Sequence, residues 1–376
     1  MIKNPKNSNN IAYLRQLCCL GLNKEIVIAE FLRAVRSVIP SENNVCTTLK
    51  PPFILDNHIL GFDASEMANL PLEPMAYFLT PECMTRSAAW FAQHPVFTDP
   101  STIWGRDYYS SDPYNLVWRK LEQHHFLYSP VYQYGKPVAL LGLFRPKQHS
   151  LFNNHEQSLL PQLTPYISHA LGASDSKTII YSETGSSGLL VMNTSGELLF
   201  QSQEAKRLLA LASYPVLGVT ERVVNLKTPP DYLFRKLKQV CRNLDVIFQG
   251  KIAEPPSWNF TNARGRFMFH AHWLDNASQE SSGMIGINIE LHEPQLLRLL
   301  RALQQFQLPP VQREVALLIA EGLSNEEIGI RLHIKLTTVK DHVRRIFVKL
   351  DIERREDLLS KLLNASDKKK TDFGLN

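Results

Sequence analysis

Between Arg331 and Lys349 the chain carries six basic side chains, Arg331, Lys335, Lys340, Arg344, Arg345 and Lys349, against one acid, Asp341. Guanidinium and ammonium groups at this density attract phosphate oxygens, and Arg and Lys also hydrogen-bond base edges in a duplex groove. Such contacts need a rigid carrier. On a 3.6-residue wheel Val339, Val343, Ile346 and Leu350 form one apolar stripe. Thr337, Asp341, Arg344, Arg345 and Val348 lie opposite that stripe, with Lys340 on the flank. Upstream, Ser324 is followed three residues later by Glu327, the capping-box spacing that opens a helix. Ile328 and Leu332 then fall one turn apart, with Gly329 between them where a second helix could approach closely. His333–Leu336 interrupts. Two short helices around a tight turn, the second basic on its outer face, predict a helix-turn-helix whose second helix fits the major groove.

A second concentration of chemistry is aromatic. Trp90, Phe91, Trp104, Tyr108, Tyr109, Tyr114, Trp118, Phe126, Tyr128, Tyr132 and Tyr134 crowd one stretch. Side chains of this kind line small-ligand cavities, and Trp90, Trp104, Tyr108, Trp118 and Tyr128 are the candidates for that role. The competing reading is that they fill the core of an α/β domain. Motifs for covalent or phosphoryl chemistry are missing: the sequence contains no GxxxxGK and no GxSxG. The pairs His124-His125 and His270-x-His272 lack a third and fourth metal ligand. No catalytic residue, metal or cofactor is therefore expected.

Composition bounds the rest. The 376 residues carry a net charge of +5 and are 44% hydrophobic and 20% charged, values of a globular chain of two or three domains. Five cysteines, Cys18, Cys19, Cys46, Cys83 and Cys241, without CxxC spacing, predict reduced and mostly buried thiols. No apolar run reaches the ~18 residues of a membrane span, and a cytoplasmic protein without membrane contact is expected.

The C-terminal stretch from about Leu308 to Leu362 resembles the LuxR-type (GerE-like) DNA-binding domain of bacterial transcription regulators. The matching pieces are Arg313-Glu314-Val315, Ala320-Glu321-Gly322-Leu323-Ser324-Asn325-Glu326-Glu327-Ile328, Thr338-Val339-Lys340-Asp341-His342 and Lys349-Leu350. The chain departs from the family at Pro309 (usually Thr), Gly329 (usually Ala) and Lys335 (usually Ser or Thr, a helix cap). The resemblance implies an all-α four-helix domain that binds double-stranded DNA. The expected contacts are Thr337, Thr338, Lys340, Asp341, Arg344, Arg345, Val348 and Lys349.

Upstream, residues 1–10 read as a frayed tail and Ile11–Val38 as one or two helices. Prolines 51, 52, 71, 74 and 81 predict strands and loops between residues 40 and 100. PVALLGLFR (Pro137–Arg145) reads as a buried strand and Asn153–Leu171 as a helix. With Phe152 and Glu156, the stretch Asp112–Leu171 resembles the second half of a GAF-type sensor domain. Residues 173–177 read as a linker. Strands on either side of a turn at Asn193–Gly196, a helix over Glu204–Leu211, and strands at Gly265–Leu274 and Gly283–Leu291 resemble a PAS domain. Glu293–Phe306 reads as a short helix with Leu296, Leu300 and Leu303 on one side, suited to pairing with its own copy.

The expected architecture is α+β and multidomain: GAF-like over 1–172, PAS-like over 178–292, a connecting helix at 293–306, the all-α domain over 307–365, and a disordered tail at 366–376. The expected protein is a one-component transcription regulator, controlled by an unknown small-molecule ligand or protein partner and touching RNA polymerase if it activates. Pairing as a homodimer is expected through Leu296, Leu300, Leu303, Leu358 and Leu362. The alternative is a signalling or protein-interaction module whose C-terminal domain no longer binds DNA.

Overall fold

The structure is a computed structural model that describes residues 5–50, 54–61, 70–71, 73–74, 80–173, 178–183, 185–212, 217–218, 231–274 and 283–372. Helices α1 (Pro5–Cys18) and α2 (Lys24–Ala34) precede strands β1 (Glu42–Lys50) and β2 (Ile54–Leu60). Helices α3 (Pro81–Phe91) and α4 (Pro100–Trp104) lead to hairpin β3 (His125–Gln133) and β4 (Lys136–Arg145), then to α5 (Asn154–Gly172). A second α/β segment runs β5 (Ser186–Asn193), β6 (Leu198–Gln201), α6 (Gln203–Ala212), β7 (Leu217–Gly218), α7 (Asp231–Phe248), β8 (Ser257–Asn262), β9 (Gly265–Leu274) and β10 (Met284–His292). Five helices close the chain: α8 (Gln295–Leu303), α9 (Pro310–Ala320), α10 (Asn325–Leu332), α11 (Leu336–Leu350) and α12 (Asp357–Asp372).

These elements form two compact units. One comprises Gly21–Ser176 and Glu183–His292; the other joins Met1–Leu20, Lys177–Ser182 and Glu293–Asn376.

The first unit holds two antiparallel five-stranded sheets, ordered β3-β4-β1-β2-β7 and β6-β5-β10-β9-β8. In the first sheet α2 packs on β1 and β2, and α5 on β3. The other face carries aromatic rings, because alternate residues of a strand point to opposite sides. Gly142 makes that possible: it stands opposite Tyr128 in the ladder, and a Cβ there would lie 2.5 Å from the Tyr128 ring. The end of β4 is locked to α5. Asn153 and Glu156 form a capping box, with N–H···O distances of 3.0 and 2.9 Å. The second oxygen of Glu156 receives the Arg145 guanidinium at 2.6 Å. Arg145 also donates to the Pro40, Ser150 and Leu151 carbonyls and lies 4.1 Å from the centroid of Phe152, so its buried charge is partnered on every side. In the second sheet Leu190, Met192, Phe267, Phe269, Ile285, Ile287 and Ile289 pack on Leu208 of α6 and on Leu237 and Cys241 of α7.

The second unit is helical. Its short ladder pairs Tyr181 with Pro294, and α8 starts directly beyond it. Helix α8 packs on α12 and α9, and α1 packs on both α9 and α8. Tyr13, Leu14, Leu17 and Cys18 of α1 are buried. Gln16 donates to the Pro310 carbonyl at 2.6 Å, and Arg313 reaches back to the Asn9 carbonyl at 3.4 Å. Burial lowers the Arg313 pKa.

Several expectations shift. Helix α1 begins at Pro5, where a frayed tail to residue 10 is expected from the sequence; proline fits a first helical turn. Helix α12 continues to Asp372, through much of the expected tail, since Ala and Lys favour helix. The remaining tail and most of the 173–177 linker lie outside the described residues. Four of the five leucines expected at a pairing seam, Leu300, Leu303, Leu358 and Leu362, are buried by the chain itself where α8 meets α12. Leu296 stays half-buried.

Candidate DNA-binding surface and aromatic pocket

Helix α10 opens as its sequence requires. The Ser324 hydroxyl accepts the Glu327 N–H at 3.2 Å, and a Glu327 carboxylate oxygen accepts the Ser324 N–H at 2.7 Å. Those bonds hold the Glu327 carboxyl below its ordinary pKa. His333, left-handed at φ 54°, ends α10. A Cβ on Gly329 would come within 3.0 Å of the Ile334 carbonyl, so the turn folds back tightly onto a position without a side chain. Helix α11 starts at Leu336, after the N-cap residue Lys335, whose side chain makes no cap bond. A missing cap of this kind costs about 1 kcal/mol.

On α11 the apolar stripe behaves as the wheel predicts. Val339, Ile346 and Leu350 are buried and Val343 half-buried, with α11 packed on α9, α10 and α12. Thr337, Thr338, Lys340, Arg344, Arg345, Val348 and Lys349 are exposed, Val348 by 76%. Asp341 is half-buried among the arginines. Its carboxylate accepts Arg344 at 3.1 Å and lies 2.8 Å from Arg345. These partners, Arg344 first, keep its pKa below the ordinary carboxylate value.

Lys349 belongs with the scaffold. Its ammonium donates to the Gln307 carbonyl at 2.8 Å, tying the end of α11 to the residues before α9. An open groove of about 910 Å³ runs beside α11; Lys340, Arg344 and Val348 line it together with Asp351, Glu353 and Asp357. These acids repel phosphate at the C-terminal end. The N-terminal end of the helix, with Lys335 at its cap and Lys340 further on, carries the positive end of the dipole.

Sequence reasoning missed Arg355. It donates to Asn325 Oδ1 at 3.0 Å and to the Leu323 carbonyl, clamping the loop after α11 onto the α9–α10 turn. Nothing in its local spacing signals a partner about 30 residues away.

In the other unit the aromatic residues converge. Trp104 lies 5.2 Å from Tyr108 and 6.1 Å from Tyr128, around Phe97 and Phe126. Trp118 stacks on Phe144 at 6.0 Å, and Phe144 meets Tyr128 edge-on at 5.6 Å. Trp90 stacks on His94, and its indole N–H donates to the Val96 carbonyl at 3.0 Å. All five sequence candidates thus belong to one cluster. Tyr108 is buried, while Trp90, Trp104, Trp118 and Tyr128 keep part of their surface open. Burial pushes the phenol pKa of both Tyr108 and Tyr128 well up, so both hydroxyls stay protonated. A cavity of about 470 Å³ opens beside Trp104 and Tyr108. Among the described residues no group of three or more metal-type ligands occurs, and no helix is long and apolar enough to cross a membrane.

Comparison with known proteins places residues 307–362 in the family "GerE: Bacterial regulatory proteins, luxR family". The chain is 42% identical over 50 residues to a monoamine regulon transcriptional regulator of Klebsiella aerogenes, 13% of this chain and 22% of that protein. It is 48% identical over 44 residues to the response regulator protein VraR of Staphylococcus aureus strain Mu3, 12% of this chain and 21% of that one. VraR of Staphylococcus epidermidis gives the same values. The chain thus spans about a fifth of the length of these curated relatives.

Proposed function

We propose that this protein is a one-component, cytoplasmic transcription regulator that binds promoter DNA through α11 and responds to a small ligand or partner at its N-terminal modules. The observation that carries the reading is the division of α11: a buried stripe fixes the helix on α9 and α10, and its exposed half presents Thr337, Thr338, Lys340, Arg344 and Arg345. These side chains, with Asp341 and Val348, are the proposed groove contacts. Lys349, held by Gln307, contributes at most at the edge.

Three observations support the sensor half. The second sheet, counted within its own module, runs 2-1-5-4-3 with α6 and α7 between its second and third strands, in keeping with a PAS-like module. The first sheet with α5, whose start the Arg145–Glu156 pair locks, agrees with the GAF-like resemblance. Of the five aromatic candidates, Trp104 and Tyr108 line a cavity of about 470 Å³, while Trp90, Trp118 and Tyr128 pack in the core cluster behind it.

Two-fold pairing is retained on energetic grounds. A few base contacts at roughly 1–3 kcal/mol each discriminate poorly against a genome, and two copies double the site. Because α8 and α12 cover each other's leucines, pairing through those leucines requires the α8–α12 contact to open.

The test is a gel shift of full-length protein on fragments that include the chain's own upstream region, at low and moderate salt. A competable, sequence-selective shift is expected. Its absence at both salts selects the protein-interaction module.

A further inference from the structure

The cavity beside Trp104 and Tyr108 has a distinctive lining. Its described walls are Pro74, Trp104, Gly105, Asp107, Tyr108, Ser110, Ser111, Asp112 and Pro113. Two carboxylates stand there and no Lys, Arg or His. Two aromatic rings, 5.2 Å apart and inclined by 27°, form the apolar wall. Gly105, at φ +94°, ends α4.

Aromatic faces attract cations through their quadrupole, and carboxylates neutralise them. A phosphate or carboxylate ligand would find no cationic partner among these walls. A neutral apolar ligand would leave the two acids unused. The volume, about 470 Å³, suits a molecule of modest size.

We propose that this cavity binds a small organic ammonium ion, its charged head between Asp107 and Asp112 and its carbon skeleton against Trp104 and Tyr108. The inference rests on the sensor reading above and narrows the ligand to a chemical class. Tyr108, protonated at physiological pH, adds a neutral hydroxyl-bearing ring and no competing charge.

The experiment uses full-length protein and calorimetry with two matched pairs: phenethylammonium against 2-phenylethanol, and choline against 3,3-dimethylbutan-1-ol. At least one cation should bind at least tenfold more tightly than its neutral partner. That advantage should vanish in the Asp107→Asn/Asp112→Asn double variant, whose thermal midpoint should match the parent because both side chains are exposed. Equal binding of neutral and cationic partners, an undiminished advantage in the double variant, or no binding of either cation overturns the proposal. Measuring DNA affinity with each compound separates the two readings. If a neutral compound binds and shifts DNA affinity, sensing stands and the ammonium inference falls. If a cation binds at Asp107 and Asp112 without shifting DNA affinity, the inference stands and sensing through this pocket falls.

Discussion

Replacing Leu17 with Ala should destabilise the helical unit and leave the two-sheet unit intact. Leu17 is fully buried in α1, which packs on α8 and α9. Truncating a leucine at such a site costs about 2–5 kcal/mol, from lost transfer energy plus the cavity left behind. Taking about 3 kcal/mol, and a urea dependence of about 2 kcal/mol per molar, the unfolding midpoint should drop by about 1.5 M. The chain provides two separable probes. All five tryptophans, Trp90, Trp104, Trp118, Trp258 and Trp273, lie in the two-sheet unit, so their fluorescence reports that unit alone. Far-UV circular dichroism also registers the helices of the other. The variant should advance the ellipticity transition while the fluorescence transition stays in place. DNA affinity at 25 °C should hardly change, because a unit of ordinary stability, about 5–15 kcal/mol, remains overwhelmingly folded after losing about 3. An ellipticity midpoint that moves by less than about 0.3 M would refute the assignment of α1 to the helical unit.

Other perturbations divide the surface of α11 by role. Lys340→Gln should weaken binding to all DNA sequences alike and lower the salt slope by about one, read from affinity against salt concentration. Asp341→Asn should release Arg344 and Arg345, raising nonspecific affinity and relaxing preference at one base pair; unchanged affinity and preference in a binding-site selection would place Asp341 outside the groove. Val339→Asp sets a charge at a fully buried position, and the helical unit should lose its cooperative transition and not merely bind more weakly. Under native conditions a disulfide reagent should titrate one thiol per chain, the exposed Cys19, and all five in urea. Burial holds Cys18, Cys46 and Cys241 protonated, with Cys46 pushed up to about 12 and Cys241 to about 11.

What could be read from the sequence follows from the range of the forces involved. The capping box, the stripe of α11 and the turn at Asn193–Gly196 depend on neighbours a few residues away, so they stand in the structure where the spacing puts them. The strands expected at Gly265–Leu274 and Gly283–Leu291 from the PAS resemblance stand at Gly265–Leu274 and Met284–His292. The role of α1 was not, because its partners begin nearly 300 residues later. The leucines of α8 show a different limit: a row of leucines at helical spacing looks the same whether it faces a copy or its own chain. Charge and spacing make Lys349 a DNA contact, because they carry no record of the Gln307 carbonyl that holds its ammonium.

The placement of α1 also bears on how the chain comes off the ribosome. Its apolar face leaves the ribosome well before α9, which it packs against and which is made some 290 residues later. At about 5–20 residues per second that wait lasts on the order of 15–60 s. Throughout it Tyr13, Leu14 and Leu17 have no permanent neighbours, so nascent chains are a natural client for chaperones. A polypeptide broken off anywhere before α9 keeps that face uncovered. The helical unit thus closes only on a chain translated through to its C-terminal helices.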